Sequence, residues 1–204
     1  MLNYPILDRS LRLALVVALL GAARPAAAQQ DTTDDGVRAR ADSAVLADSV
    51  NTVTRWLVAN GAPEGRARLA AAHIMEFARL RALDPLLVVG VIGVENASLS
   101  PRARSRAGAR GVMQVMPSWR KDVRGCGNDL QSLRANICLG TAVLRIALDA
   151  SETVREALLR YNGCVRAPGC GVYASAVFGR AGYALIASRR DSTASPKRAP
   201  SGDM

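Results

Sequence analysis

The feature that most constrains the fold is an apolar run over residues 86–94 that ends on the carboxylate of Glu95. Immediately before it stands Asp84-Pro85, which places an N-cap residue and a first-turn proline at the start of a helix. We therefore predict a helix from Pro85 to about Asn96. Because this helix is apolar nearly all round, it belongs at the centre of a domain. Its end carries a carboxylate, which needs either a partner or a surface that uses it.

The apolar run contains two glycines, Gly90 and Gly93, three residues apart. Each glycine costs helix stability relative to alanine, by up to about 1 kcal/mol. Their spacing puts both on nearly one face of the helix. We expect that face to allow close packing of another helix or close approach of a substrate.

Helical periodicity of apolar residues recurs on both sides of this run. It predicts further helices over 37–60, 65–82, 133–150, 152–161 and 173–188, and a short helix that starts with "GVMQVMPSW". Ser151 is predicted to cap the helix that starts at 152. One side of the second helix carries Leu69, Ala72, His73, Phe77 and Leu80, with His73 expected at the edge of the core. With no run of strands and no long repeat, the fold class is mainly α, in a single domain.

The first 28 residues have the pattern of a secretory signal peptide. Arg9 and Arg12 precede the apolar segment 13–23, and three alanines precede Gln29. The apolar segment is shorter than the roughly 20 residues that span a bilayer. An uncleaved anchor or a plain helix is the alternative. We expect an exported protein that begins near Gln29, in the periplasm or outside the cell, with no stable membrane anchor.

The basic charge of the chain limits its partners. Removal of the signal takes away three arginines and one aspartate, so the formal net charge falls from +10 to +8. A basic exported protein is drawn to anionic surfaces, which include nucleic acid, phospholipid and acidic wall polymers. Aromatic residues make up only 4% of the chain, too few for platforms that stack on single-stranded nucleic acid. A nucleic-acid partner also conflicts with export.

Four cysteines follow the signal, and export makes disulfides their natural fate. Three pairings are possible. We favour Cys126–Cys138 and Cys164–Cys170, because each closes a short local loop rich in glycine or proline. A zinc site is the alternative, but the chain has no C-x2-C pair and its one histidine, His73, lies far upstream. We therefore expect no metal and no cofactor.

Glu95 is a candidate catalytic acid. The partial negative charge at the carboxyl end of a helix disfavours ionisation of a carboxylic acid there, and apolar neighbours do the same. Both effects raise the pKa of Glu95. A carboxylic acid that keeps its proton near neutral pH is what general acid catalysis on a glycosidic oxygen requires. On this ground alone, a salt bridge to one of the many arginines is the more common role for such a residue.

The sequence around Glu95 resembles the catalytic core of the soluble-type (SLT) lytic transglycosylases, a branch of the lysozyme-like superfamily. Asp84-Pro85 matches the start of that family's apolar helix, and Glu95 falls on its catalytic glutamate. The family's second motif is matched by Ser105, Gly108, Ala109, Gly111, Met113, Gln114, Met116 and Pro117. Later motifs are matched by "NICLGTAVL", by "ALLRYNG" with Tyr161 and Asn162, and by "YASAVFGRAGY" from Tyr173. The likeness covers about residues 70 to 188 in the expected order.

The resemblance implies the reaction and its substrate, the glycan strands of peptidoglycan. Glu95 would protonate the oxygen between N-acetylmuramic acid and N-acetylglucosamine and then, as a base, take a proton from the 6-hydroxyl. The product is a 1,6-anhydro sugar. A single-acid mechanism suits the chain, because no acid other than Glu95 and the helix-capping Asp84 stands in any matched motif. Most glycosidases use two carboxylates, so this is an exception.

The resemblance also implies a set of substrate-binding residues. Gln114 would bind sugar hydroxyl or acetamido groups, and Met113 would form a wall of the cleft. The hydroxyl of Tyr161 would lie near Glu95 and orient it. Asn162 would bind the acetamido group or shape a turn, and Tyr173 would border the cleft. Asn136, in contrast, is expected to be structural, capping or bridging helices.

The chain departs from the family pattern beside the catalytic residue. Asn96 stands where the family usually has serine, and its amide could donate to a sugar or to the carboxylate. Leu99 replaces an aromatic residue, and Trp119 stands where threonine is usual. Two other readings remain open. A hydrolase of the same fold would need a second carboxylate, with Asp122 or Asp129 the nearest, and a non-catalytic wall-binding or assembly protein would need a decayed site.

The predicted domain organisation follows from these patterns. Residues 1–28 form the signal peptide and 29–64 an N-terminal helical or linker segment, in which the polar residues 29–36 are expected to be mobile. Residues 65–188 form the lysozyme-like transglycosylase domain. Residues 189–204 have few apolar side chains and are expected to be a disordered tail.

Overall fold

The fold is described from a computed structural model that covers residues 27–164 and 170–193. The predicted signal peptide therefore lies almost wholly outside the described residues, as does the tail beyond residue 193. The described part contains six α-helices and one short 3-10 helix, Pro117–Arg120. The α-helices are α1 Ala27–Ala59, α2 Glu64–Leu80, α3 Pro85–Glu95, α4 Leu133–Asp149, α5 Val154–Tyr161 and α6 Gly171–Thr193. The mainly α prediction is confirmed.

The chain divides into two compact units, residues 1–40 and residues 41–204. In the first unit the described residues are helical and belong to the start of α1. This corrects the predicted start of the helix. Alanine and glutamine, which open α1, are good helix formers, so the helix starts ten residues before the predicted 37.

The second unit is built around α3, as predicted. The side chain of Asp84 accepts a hydrogen bond from the Leu86 N–H at 2.8 Å, and Pro85 takes the first helical position. The residues of α3 from Val88 to Gly93 are all buried. Helix α2 packs on one side of α3 and α6 on another, while α4 packs against α2 and α5.

Of the two uses expected for Gly90 and Gly93, the structure shows close helix packing. A Cβ on Gly90 would lie 2.6 Å from the main-chain oxygen of Val177 in α6. A Cβ on Gly93 would lie 2.6 Å from the indole ring of Trp56 in α1 and 3.3 Å from the Cβ of Arg180. The two distances of 2.6 Å are too short for real side chains. Larger residues at Gly90 and Gly93 would therefore push α6 and the end of α1 away from α3.

The face that α2 buries differs from the predicted one. Leu69 and Leu80 are 58% and 70% exposed, although both were expected to face inward. The buried side is made mostly of small residues: Ala67, Ala70, Ala71, Ile74, Phe77 and Ala78. Alanines let α2 approach its neighbours closely, and this close packing decides which face is inside. His73 lies at the edge of the core, as expected, with Nδ1 3.3 Å from a carboxylate oxygen of Glu76.

Three boundaries also differ from the prediction. Helix α5 begins at Val154 and is capped by Thr153, whose hydroxyl accepts from the Glu156 N–H, so Ser151 is not the cap. The short helix begins at Pro117, after "GVMQVM", because the preceding residues form a tight turn. Helix α6 extends to Thr193, five residues beyond the predicted end and into the segment expected to be a tail.

Two disulfides join Cys126 to Cys138 and Cys164 to Cys170, the pairings favoured from the sequence. The first ties the loop before α4 to the first turns of that helix. The second joins the end of α5 to the start of α6. It lies three residues after Tyr161 and three before Tyr173, so it ties together the segments that carry these two side chains.

None of the helices described in 27–164 and 170–193 combines the length and the apolar character needed to cross a membrane.

Candidate active site

The candidate site is centred on Glu95, the last residue of α3. Its side chain is partly buried at the end of the most apolar helix of the domain. Burial raises the pKa of Glu95 above its ordinary value, and a hydrogen bond from the hydroxyl of Tyr173 partly opposes that rise. Desolvation disfavours the charged form, whereas a donor that bonds the carboxylate favours it. The balance leaves an acid that holds its proton more firmly than a carboxyl group in water.

Tyr173 is the closest polar neighbour of Glu95. Its hydroxyl donates to Oε1 of Glu95 at 2.7 Å. Burial and the nearby charge of Glu95 raise the pKa of Tyr173 far above its ordinary value, so the hydroxyl stays protonated and can only donate to this carboxylate. Among the described residues no donor bonds Oε2 of Glu95, which leaves that oxygen as the one that can present a proton.

This contact exists because α6 crosses α3 closely. The first turn of α6, with Tyr173, lies beside the carboxyl end of α3, and Val177 lies against Gly90. Later residues of α6, Phe178 to Leu185, line a groove with the amino end of α3. The two glycines of α3 therefore help to bring Tyr173 to Glu95, although neither glycine touches the carboxylate.

Tyr161 has a different partner from the predicted one. Its hydroxyl donates to the main-chain oxygen of Met113 at 2.7 Å and not to Glu95. Burial raises the pKa of Tyr161 well above its ordinary value, and the charge of Glu95 adds to this effect, so the two side chains still lie within electrostatic reach. The orienting contact assigned to Tyr161 is thus made by Tyr173. Tyr161 instead supports the turn that contains Met113.

Asn136 of α4 holds that turn, residues 111–114, by hydrogen bonds to the main chain. The side-chain oxygen of Asn136 accepts from the Met113 N–H at 2.8 Å. Its amide nitrogen donates to the main-chain oxygens of Arg110 and Leu130 at 2.9 and 3.0 Å. Asn136 is only 1% exposed, so these bonds satisfy three backbone groups inside the core. The structural role predicted for Asn136 is confirmed in this form.

Gly111 is the residue that lets the turn close over Asn136. Its φ is +79°, a conformation that residues with a side chain rarely adopt. A Cβ at this position would collide with the amide group of Asn136 and lie 2.6 Å from the Leu130 oxygen. The glycine is thus required both by its backbone angle and by the closeness of α4.

Met113 does not form a cleft wall. Its side chain is fully buried and packs against Gly140 of α4, where a Cβ would lie 2.5 Å from the Met113 sulfur. The sequence-based role is therefore wrong for the side chain. The main chain of Met113 holds the turn in place, because its N–H and C=O are bonded by Asn136 and Tyr161.

Gln114 lies in the turn and not at the start of a helix. Its φ is +46°, which is unusual for a residue other than glycine and marks a conformation held by its surroundings. Its amide nitrogen donates to the Gly111 oxygen at 2.8 Å. Among the described residues no donor bonds its side-chain oxygen. Gln114 can therefore accept a hydrogen bond from outside while its nitrogen fixes the side chain.

Asn96 closes the loop that follows Glu95. Its side-chain oxygen accepts from Ser98 Oγ and from the Ser100 N–H, both at 3.1 Å. Its nitrogen donates to the Ser100 oxygen at 2.8 Å and, at 3.4 Å, to the Gly111 oxygen. With both polar atoms engaged, Asn96 positions the loop. The sequence predicted that the Asn96 amide contacts a sugar or the carboxylate. In the structure the amide bonds the loop instead.

Asn162 caps the carboxyl end of α5 and is exposed. Its main-chain N–H donates to the Leu158 oxygen at 3.0 Å, and the next residue, Gly163, has a φ of +70°. Asn162 therefore shapes the turn after Tyr161. This agrees with one of its two predicted roles, and binding of an acetamido group by its exposed side chain stays a prediction.

The two aspartates that a hydrolase could use, Asp122 and Asp129, are exposed. A carboxylate oxygen of Asp129 accepts from the Gln131 N–H at 2.9 Å, so this residue caps a turn. Among the described residues no group of three or more His, Cys, Asp and Glu side chains is placed to hold a metal ion.

Residues 73–167 match the family model of the transglycosylase SLT domain. This part of the chain is thus similar to the SLT domains of transglycosylases. Over 81 residues the chain is 43% identical to a transglycosylase of Enterobacteria phage PRD1. The match covers 40% of this chain and 29% of the phage protein, so the chain spans less than a third of that relative's length.

The SLT match includes Glu95, the 111–114 turn and Tyr161, and it ends before Tyr173. Tyr173 was predicted only to border the cleft, yet its hydroxyl bonds Glu95 at 2.7 Å. The sequence does carry a signal for it. The cysteine loop 164–170 fixes the start of α6 next to the end of α5, and Tyr173 is one turn further along.

Proposed function

We propose that the protein is a peptidoglycan lytic transglycosylase that cleaves the bond between N-acetylmuramic acid and N-acetylglucosamine without water. The observation that carries the proposal is Glu95, partly buried at the end of α3 within the residues that match the SLT domain and bonded by Tyr173. The proposal is also supported by the phage relative, which is described as a transglycosylase.

The first step needs Glu95 as an acid. With its pKa raised by burial, Glu95 carries the proton on Oε2, the oxygen that Tyr173 does not bond. Transfer of that proton to the glycosidic oxygen breaks the bond to C1 and releases the N-acetylglucosamine hydroxyl. The N-acetyl group of the muramic acid stabilises the cation that develops at C1. No second carboxylate of the chain is used.

The second step needs Glu95 as a base. The carboxylate left by the first step takes the proton from the 6-hydroxyl of the same sugar, and the oxygen attacks C1 to close a 1,6-anhydro ring. Tyr173 supports this step, because its bond to Oε1 stabilises the charged carboxylate between the two transfers. The proton returns to Glu95, so the enzyme is regenerated with no water consumed.

Neighbouring residues have supporting roles in this proposal. Gln114 accepts a hydrogen bond from a sugar hydroxyl or acetamido N–H with its unbonded side-chain oxygen. Asn162 donates to or accepts from the acetamido group. Asn96 and Tyr161 act indirectly, by holding the loop after Glu95 and the 111–114 turn. Export through cleavage before Gln29 would bring the enzyme to its substrate, and the mass of the mature protein from its native host tests that cleavage.

The test is digestion of purified peptidoglycan, with the products weighed by mass spectrometry. Anhydro-ended fragments are expected from the wild type, and fragments heavier by one water would instead show a hydrolase. Glu95→Gln should lose at least about a thousandfold of the activity, because it removes both proton transfers. The matched control is Glu152→Gln, at an exposed position, which should keep full activity. Unchanged cleavage by Glu95→Gln would refute the assignment.

A further inference from the structure

A basic pocket lies beside the site and is not used by the reaction described above. The loop 101–110 carries four arginines, at 102, 104, 106 and 110. Three of them, Arg102, Arg104 and Arg110, line a pocket of about 130 Å³ together with Pro101, Ala103 and Gln131. All titratable side chains that line this pocket are cationic.

The backbone holds two of these arginines opposite each other. Arg104 and Arg110 form an antiparallel bridge, closed by the bond from the Ser105 N–H to the Ala109 oxygen at 3.0 Å. Like charges placed directly opposite each other on paired strands are destabilising. The fold keeps this pair in place through the backbone, so an anion between the two guanidinium groups would relieve the repulsion.

Some arginines elsewhere in the domain pair with carboxylates. Arg134 bonds Glu76 at 2.6 Å, and Arg160 bonds Glu156 at 2.9 Å. Within the described residues, none of the three pocket arginines pairs with a carboxylate. Moreover, Nε of Arg110 is buried with no hydrogen-bond partner there. A buried donor of a charged group costs free energy when unpaired, so the pocket lacks an acceptor.

One link between the pocket and the candidate site is Gly111. It follows Arg110 in the chain, and its N–H donates to the Ala103 oxygen at 3.0 Å. The Gly111 oxygen accepts from Gln114 at 2.8 Å and from Asn96, the neighbour of Glu95, at 3.4 Å. An anion in this pocket would therefore be held next to the bound glycan.

We propose that the pocket of Arg102, Arg104 and Arg110 is a carboxylate-binding subsite for the peptide attached to the glycan strand. This inference rests on the proposed function. N-acetylmuramic acid carries its peptide on a lactyl group, and that peptide bears free carboxylates. Guanidinium groups match carboxylates with two parallel N–H bonds each, which supplies direction as well as charge. The site would favour strands that carry peptides over bare strands.

The main test compares peptide-bearing glycan strands with strands from which an amidase has removed the peptides. The variant is Arg102→Gln/Arg104→Gln, which leaves the partly buried Arg110 in place. It should lower the ratio of kcat/KM for peptide-bearing over bare strands about tenfold, the usual scale for loss of a charged hydrogen bond. The control, Arg68→Gln/Arg79→Gln, removes the same charge from exposed positions of α2 and should leave the ratio unchanged. An equal loss on both substrates, or an equal loss in the control, overturns the subsite.

A binding measurement separates this inference from the proposed function. Glu95→Gln protein is titrated with a soluble peptide-bearing disaccharide, with the same compound amidated at its carboxylates, and with a glycerol-phosphate oligomer. Tighter binding of the free carboxylate form, lost in Arg102→Gln/Arg104→Gln, supports the subsite even if no strand is cleaved. If the wild type cleaves strands but the free and amidated forms bind equally well, the subsite is overturned and the proposed function stands. Binding of the phosphate oligomer alone overturns the choice of carboxylate.

Discussion

The two sides of the candidate site use their polar groups in opposite ways. On the side of the 111–114 turn, Asn136 and Tyr161 saturate the main chain of Met113, and the nitrogen of Gln114 bonds Gly111. On the α3 side, Tyr173 is the one donor to Glu95 among the described residues, and burial raises the pKa of Glu95. The turn is thus built to keep its shape. The helix end keeps a carboxyl group in a state that costs stability and that suits proton transfer.

Loss of Asn136 should give the largest effect, because it removes the support of the turn side. Asn136→Ala leaves two buried backbone groups without partners, the Met113 N–H and the Leu130 oxygen, at about 1 to 3 kcal/mol each. The Arg110 oxygen keeps its bond from the Val115 N–H. We expect the free energy of unfolding to fall by at least about 2 kcal/mol, measured by denaturant titration. Activity should fall as well, since Gln114 loses its fixed position.

Asn51→Ala, at an exposed position of α1, is the matched control for this change and should alter stability by less than about 0.5 kcal/mol. If Asn136→Ala unfolded at the same denaturant concentration as the wild type, the turn would owe its shape to something other than Asn136. Full activity with lowered stability would instead separate the turn from catalysis.

The comparison also shows what the sequence could predict. Signals carried by neighbours in the chain were sufficient for α3, where Asp84-Pro85 fixes the start, and for the cysteine pairs, which close short loops. The face of α2 could not be found in this way. Leu69 and Leu80 fit the helical period, but alanines pack closer to α4, and only the tertiary arrangement makes them the inner face.

The partner of Glu95 could not be predicted for the same reason. Tyr161 and Tyr173 both follow Glu95 at long range, and the family pattern favoured Tyr161. Which hydroxyl reaches the carboxylate depends on how closely α6 crosses α3 at Gly90, a distance that no local pattern encodes. The positive φ of Gln114 is likewise imposed by its surroundings and not by its own preference.

Tyr173→Phe should give an intermediate effect and act on the helix side alone. A hydrogen bond to a charged group contributes about 1.5 to 3 kcal/mol, so loss of this bond should lower kcat about tenfold or more. Because the bond lowers the pKa of Glu95, its removal should raise that pKa further. The pH profile of kcat/KM should then shift to higher pH at the limb that reports Glu95.

Tyr183→Phe, at a side chain of α6 that is 71% exposed, is the control and should leave both rate and profile unchanged. A loss of rate with an unshifted pH profile would mean that Tyr173 acts on the substrate and not on Glu95. Equal shifts in both variants would point to a change in α6 as a whole.

The smallest expected effect is a gain in stability from Glu95→Gln. Since burial raises the pKa of Glu95 above its ordinary value of 4.5, the folded protein binds this proton more tightly than the unfolded chain does. Stability of the wild type therefore falls as the pH rises from about 4.5 through the folded-state pKa, and the loss persists above it. Glutamine cannot ionise and avoids that loss.

Glu95→Gln should thus unfold at higher denaturant than the wild type at neutral pH, and the difference should shrink below pH 4.5. The control Glu152→Gln should show no such gain. A variant less stable than the wild type at neutral pH would show that the carboxylate is stabilised on balance, and the contrast between the two sides of the site would not hold.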